Sequence, residues 1–290
     1  MLPFLLACSR PVTTGAADVP DGPLPWRATE KLELNEPSPF GTARYAAISA
    51  GTSHICALDL AGAVRCVGED VHGETAPSAG PWTWVDAGNQ RTCAGRTDGG
   101  HLCWGRERWI GWPAGGLSDV TQDRWSTCVR ALDGTRKCWS EFLNAPEIAL
   151  PSVDLERVAP GLGRACAKFA GERRIGCWDK RGEIPVPAGE WLDVAAGMAT
   201  TCGVRGDGTL QCWGRKGLPF TGFPELRDFV SVYVADRHVC GLRGNGSVAC
   251  YVGRWMELDG PYVQLAVGAA YFGCALSAAG RVDCWGDIPS

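Results

Sequence analysis

The sequence predicts an all-β protein, a seven-bladed β-propeller with one disulfide inside each blade. Three observations carry the prediction: a sevenfold internal repeat, cysteines in regularly spaced pairs, and a glycine at a fixed place between the members of most pairs. Fourteen of the fifteen cysteines pair as Cys56 and Cys66, Cys93 and Cys103, Cys128 and Cys138, Cys166 and Cys177, Cys202 and Cys212, Cys240 and Cys250, and Cys274 and Cys284. Six pairs are ten residues apart, and the fourth is eleven apart. The first cysteines of successive pairs lie 34 to 38 residues apart, a period near 36. That period, with three or four short strands per unit, suits a propeller blade. A closed ring leaves no long sheet edge exposed, whereas a solenoid needs polar caps, and none is visible. The 39 glycines and 19 prolines interrupt the chain too often for long helices.

Each repeat carries the same order of features. It opens on an aromatic residue or leucine with an aliphatic residue three positions later, as in Tyr45 and Ile48, Leu117 and Val120, or Trp191 and Val194. A small-residue break follows, such as Ala50-Gly51 or Ala87-Gly88, then a strand bearing the first cysteine. After a turn comes the second cysteine, followed by Trp104, Trp139, Trp178, Trp213, Tyr251 or Trp285, with Val67 the exception. These aromatic residues, with Trp82 and Trp191, are expected in the core between blades.

The turn accounts for the cysteine spacing. Six residues after the first cysteine stand Gly62, Gly99, Gly134, Gly208, Gly246 and Gly280. A three-residue hairpin loop ends on a glycine at positive φ. With that loop, residues i and i+10 face each other at a non-hydrogen-bonded site, with Cα atoms about 4.5 Å apart, within disulfide range. The fourth pair has one extra loop residue near Gly171-Glu172 and needs a different turn. Metal ligation is the weaker reading of the cysteines, because no C-x-x-C occurs. Disulfides imply an oxidising compartment.

Leu5-Leu6-Ala7-Cys8 has the form of a bacterial lipoprotein cleavage box, which gives the unpaired cysteine a use as a lipidation site. Residues 1–8 then read as the remnant of a lipoprotein signal segment, 9–41 as a tether and N-terminal segment, and 42–290 as the propeller. The expected location is extracytoplasmic, as a bacterial lipoprotein at the outer membrane or cell surface, or secreted. Little chain remains after Cys284 for an outer strand of the last blade, so Lys31–Leu34 or Ile288-Pro289 is expected to supply it.

The order of residues from Ile48 through Cys66, which follows V-x-A-G-x-x-H-x-C-A-L-x-x-x-G-x-V-x-C, resembles the regulator of chromosome condensation repeat. Gly68-Glu69-Asp70-Val71-His72-Gly73-Glu74-Thr75-Ala76-Pro77 resembles that family's loop after the strand. The likeness spans about residues 42 to 290. It is closer to the short-repeat bacterial branch that includes the beta-lactamase inhibitor protein II. Two departures stand out: cysteines occupy strand positions that are usually apolar, and the later loop is retained well in the first repeat alone. The resemblance implies a seven-bladed propeller that binds other proteins.

Charge and motifs narrow the function. The net charge of −4 lacks the basic footprint of a nucleic-acid binder. No apolar run approaches a membrane span, so membrane contact is expected only through a lipid anchor on Cys8. A nucleophile elbow, a phosphate loop, H-E-x-x-H and a D-x-D-x-D-G calcium loop are all missing. No catalytic residue, metal site or cofactor is therefore assigned. His54 and His238 are read as structural, as are Asp86, Asp119, Asp193 and Asp228. The breaks of all blades fall on one face and bring together Gln90, Arg91, Arg124, Trp125, Arg237, His238, Tyr271 and Phe272. Aromatic residues and arginine with little lysine are the composition of a protein-binding surface. Trp109 and Trp112 mark a possible second face. The reading is a non-catalytic, monomeric propeller that binds an unidentified protein through this face. The alternatives are an extracytoplasmic lyase or hydrolase working at the central channel, or a purely structural surface protein.

Overall fold

The computed structural model describes residues 30–106, 115–141, 147–214, 227–236, 238–252, 255–269 and 271–288. Cys8, Trp109, Trp112 and Arg237 lie outside the described residues. Seven antiparallel sheets follow one another along the chain. Each begins with an inner strand: Tyr45–Ala50, Trp84–Ala87, Leu117–Gln122, Leu155–Gly161, Trp191–Ala196, Phe229–Val234 and Tyr262–Val267. The middle strands are His54–Asp59, Arg91–Gly95, Ser126–Ala131, Arg164–Phe169, Thr200–Arg205, Val239–Arg243 and Gly273–Ser277. The third strands are Val64–Gly68, His101–Gly105, Arg136–Ser140, Ile175–Asp179, Leu210–Gly214, Val248–Tyr251 and Val282–Trp285. Blades 3, 4 and 6 add a fourth strand, Glu147–Ile148, Gly182–Ile184 and Trp255–Leu258.

The cysteine register is the predicted one. In every blade the two cysteines are directly opposed across the middle and third strands, as Cys56 with Cys66 and Cys202 with Cys212. All seven disulfides form, six across ten residues and Cys166–Cys177 across eleven. Cα separations are 4.0 to 4.1 Å, somewhat under the 4.5 Å expected of the open pair. The hairpins close as predicted: Asp59 N donates to Ala63 O at 2.8 Å across a three-residue loop. In blade 4 the loop is one residue longer, and Phe169 N donates to Arg174 O at 3.0 Å.

In five blades the hairpin glycine also ties the blade to the next. Its carbonyl accepts the backbone N–H at the head of the following blade, as in Trp82 N to Gly62 O at 2.8 Å and Phe229 N to Gly208 O at 3.1 Å. In blade 4 the Arg173 carbonyl takes this part, accepting from Trp191 N at 2.9 Å. Gly208 shows why no other residue suits this place. Its φ is +79°, and a Cβ there would stand 2.9 Å from Asp228 N. The same bond closes the ring, where Tyr45 N of blade 1 donates to Gly280 O of blade 7 at 2.9 Å. Gln264 of blade 7 adds two bonds to the backbone of Ile48, at 3.1 and 2.9 Å.

The core is divided in the same way. Seven apolar clusters each sit between two consecutive blades. Between blades 1 and 2, for example, Cys56, Leu58 and Val64 pack on Trp82, Val85 and Ala94. Of the aromatic residues expected here, Trp82, Trp178, Trp191 and Trp285 are buried, whereas Trp104, Trp139, Trp213 and Tyr251 are half-buried against the same clusters.

The N-terminal segment departs from expectation. Glu30–Lys31 pairs in parallel with Trp255–Leu258, so it widens blade 6 and not blade 7. The chain then crosses to blade 7, where Leu34 bridges Trp285 and Asn35 N donates to Cys284 O at 2.8 Å. Blade 6 already has a fourth strand, and its free edge takes the first half of the segment. Lys31 and Leu34 thus touch different blades.

Candidate functional site

The break between inner and middle strands is a tight turn, and neighbouring residues in it have opposite fates. The residue two places before the first cysteine turns inward and reaches the next blade. His54 Nε2 lies 2.7 Å from Thr92 Oγ1 of blade 2. Arg91 donates to Thr127 Oγ1 of blade 3 at 3.0 Å and to Gln122 Oε1 at 2.9 Å. Ser126 Oγ donates to Gly161 O of blade 4 at 2.7 Å, and Arg164 to Gly197 O of blade 5 at 3.1 Å. Phe272 is fully buried and packs with Tyr45, Ile48 and Ile55 of blade 1. His238 is fully buried as well. Burial pulls both His54 and His238 down to about 4, so both imidazoles are neutral at physiological pH. Three of the residues predicted for the face, Arg91, His238 and Phe272, are therefore clamps between blades.

The residues one and two places earlier stay at the surface. Gln90, Trp125 and Tyr271 occupy equivalent positions, and Arg124 precedes Trp125. Gln90 and Tyr271 have φ of 57° and 64°, a left-handed conformation that costs a side-chain-bearing residue about 1–2 kcal/mol. Tyr271 is 42% exposed and stacks on the buried His238 ring at 5.9 Å. Trp125 is half-buried, with the Arg124 guanidinium over its ring at 5.3 Å. Asp123 fixes this turn by accepting from the backbone N–H groups of Trp125 and Ser126. Burial raises its carboxyl to about 7 despite those bonds.

Arg124 also reaches across the ring. It pairs at 2.8 Å with Asp236 of blade 6, three blades away, and so spans the mouth of the central channel. Arg124 thus lies on the break face, over the axis and not above its own blade.

The channel is walled by the inner strands of all seven blades and has a volume of about 420 Å³. Asp86, Asp119, Gln122 and Arg157 project into it. Ser49 and Gln122 donate to the Asp86 carboxylate at 3.3 and 3.2 Å, linking blades 1, 2 and 3. Arg157 pairs with Asp193 at 3.2 Å and lies over the Tyr233 ring at 4.7 Å, linking blades 4, 5 and 6. Burial and the nearby Asp119 charge hold the Asp86 carboxyl well above the usual carboxylate range. Desolvation by the surrounding protein raises Asp119 as well, although its side chain is exposed, against the pull of Arg136, Arg130 and Arg157. These aspartates looked like a repeated structural feature, yet Asp86 and Asp119 stand on opposite sides of the aliphatic residue that marks each inner strand. The offset between them was the available signal.

No protein-family model matches the chain, and no curated protein does. Solved structures do match. The CRINKLY WD40 ectodomain of the Arabidopsis thaliana receptor kinase ACR4 is 19% identical with a TM-score of 0.67, over 85% of this chain and 97% of that one. The ectodomain of the Physcomitrella patens receptor kinase CR4 is 21% identical with a TM-score of 0.67, over 84% and 74%. Prp20p from Saccharomyces cerevisiae is 13% identical with a TM-score of 0.60, over 84% and 82%, and is described with its binding to Gsp1p and histones. The protein is thus a seven-bladed β-propeller, and its fold is that of the RCC1-like repeat propellers.

Proposed function

We propose that this protein is a non-catalytic, exported propeller that binds a protein partner through its break face. The observation that carries this reading is the layered construction of that face. Arg124 and Tyr271 are exposed and Gln90 and Trp125 half-buried, and Gln90, Trp125 and Tyr271 each directly precede a buried clamp residue. Two of the four are held in a strained conformation that stability alone does not favour. Exposed aromatic and arginine side chains on a rigid scaffold are the usual anchors of an interface. That RCC1-like Prp20p is known for protein binding agrees with it. Seven disulfides fit an oxidising compartment, and the Leu5–Cys8 box supports lipid anchoring at Cys8 on a bacterial surface.

The test is the Trp125→Ala/Tyr271→Ala double variant. It should keep the wild-type melting transition and lose capture of partner from cell-envelope extract, by about 2 kcal/mol or more for each anchor. Unchanged capture by the folded double variant would overturn the assignment of this face.

A further inference from the structure

The outer edge of blade 1 is a strand without a neighbour. In blades 3, 4 and 6 the strand bearing the second cysteine is covered by a fourth strand, and in blade 7 Asn35 N donates to Cys284 O at 2.8 Å. In blade 1 that strand is bare, although residues 69–83, which follow it, are all described. Val64–Gly68 bonds to the middle strand through Arg65 and Val67, so Cys66 and Gly68 turn their backbone N–H groups outward. Among the described residues nothing accepts from either. The reason lies in Glu74. Gly73-Glu74-Thr75 matches Gly182-Glu183-Ile184, the fourth strand of blade 4. In blade 1, however, the Glu74 carbonyl accepts from Thr92 Oγ1 at 2.8 Å and Trp104 Nε1 at 3.0 Å, which draws this stretch onto blade 2.

Two further observations point to an occupant. Leu60 and Val71, just before and just after the bare strand, are 72% and 63% exposed, the most exposed large hydrophobic side chains among the described residues. The fourth strands also share a chemistry. Each sets an apolar residue opposite the second cysteine, Ile148, Ile184 or Met256, with a glutamate beside it, Glu147, Glu183 or Glu257. Glu147 pairs at 3.8 Å with Lys137, and exposed Arg65 holds the place of Lys137 in blade 1.

We infer that the outer edge of blade 1 binds an extended peptide segment of a partner protein. The segment runs antiparallel to Val64–Gly68, with an aliphatic residue opposite Cys66 and an acidic residue beside it. Main-chain bonds to Cys66 and Gly68 supply the affinity, and Arg65 with the two exposed aliphatic residues selects the sequence. A second copy of this edge fits less well, because it would set two Arg65 guanidinium groups on neighbouring positions of one face. Nor do residues 9–29 suit it, since Pro11, Pro20, Pro23 and Pro25 interrupt them. The site lies on the outer wall and does not depend on the break-face reading.

Calorimetry on the folded, oxidised protein tests it with the peptide acetyl-Thr-Thr-Glu-Ile-Val-Thr-Thr-amide, which keeps the order of glutamate and isoleucine found in blade 3. The peptide should bind one to one. Methylating its isoleucine nitrogen removes the N–H that meets the Cys66 carbonyl and should weaken binding by about tenfold or more. A peptide with lysine in place of glutamate should bind wild type about threefold more weakly, and Arg65→Glu should reverse that order. By NMR, the Cys66 and Gly68 amides should exchange freely in the free monomer and be protected in the complex. No binding, equal binding of the methylated peptide, or an unreversed order in Arg65→Glu would each overturn the proposal. Amides already protected in the free monomer would overturn it too, by showing that residues 1–29 fill the edge. So would a dimer in sedimentation that the peptide dissociates, which puts a second copy there. The methylated peptide and the exchange measurement use wild type, so they decide the matter even if Arg65→Glu folds poorly.

Discussion

The two ends of each blade obey different rules. At the hairpin end the backbone does the joining. One glycine turns the chain in six of the seven repeats, and in five of them its carbonyl also holds the next blade. At the break end side chains do the joining, and almost any that can reach will serve. His54, Arg91, Ser126, Arg164 and Phe272 differ in charge, size and polarity, yet each contacts the following blade. Where geometry is fixed by the main chain, the sequence converges. Where it is fixed by side chains, the sequence is free to vary, and exposed residues can be chosen for binding.

The largest effect should come from the clamps. Phe272→Ala removes a fully buried ring from the junction of blades 7 and 1 and should cost about 3–5 kcal/mol in denaturant unfolding. Its neighbour Tyr271→Ala should cost under about 1 kcal/mol, since that side chain is exposed. Similar losses at the two positions would erase the distinction between clamp and surface residue.

Next in size is a single staple. Replacing Cys202 and Cys212 together by alanine opens a loop of about eleven residues and should lower stability by roughly 2–4 kcal/mol. The ring should persist by circular dichroism, because each disulfide belongs to one blade.

A smaller contrast separates two hairpins. Gly208→Ala meets both a positive φ and a backbone atom at 2.9 Å, whereas at Gly134, with φ of +87°, a Cβ would meet nothing within 4 Å. Gly134→Ala should cost about 1–2 kcal/mol from φ alone, and Gly208→Ala visibly more. Equal melting shifts would show that the contact to the next blade is slack.

The last contrast is read as a slope with pH. His238 has its folded value lowered to about 4 from 6.5, so its neutral form is the one the fold accepts. Its contribution is fully present above about pH 6.5 and is lost as pH falls toward 4. The stability advantage of wild type over His238→Leu should therefore shrink across that window. A difference that stays flat would mean the imidazole is not confined as described.

How much of this was legible beforehand follows the same division. Seven blades, the cystine register and the hairpin glycines could be read because each has a fixed spacing. The break could not be read to the same depth. In a turn of a few residues there is no periodicity to separate Tyr271 from Phe272, and both look like exposed aromatics. The parallel docking of Glu30–Lys31 on blade 6 was hidden too, because Leu32 and Leu34 fit either neighbouring blade and only the free edge decides. The channel carboxylates were visible as residues but not as a pocket, since closing the ring is what brings blades 2, 3 and 4 around one axis.

Among the described residues no disulfide crosses a blade boundary. Oxidation during folding is therefore a local search, in which each cysteine finds a partner about ten residues away before any distant part of the chain must be in place. It also makes the repeat a portable unit. Duplicating or deleting one blade carries a complete cystine with it and leaves no thiol stranded, so such a ring can change its number of blades without disturbing the pairing of the rest.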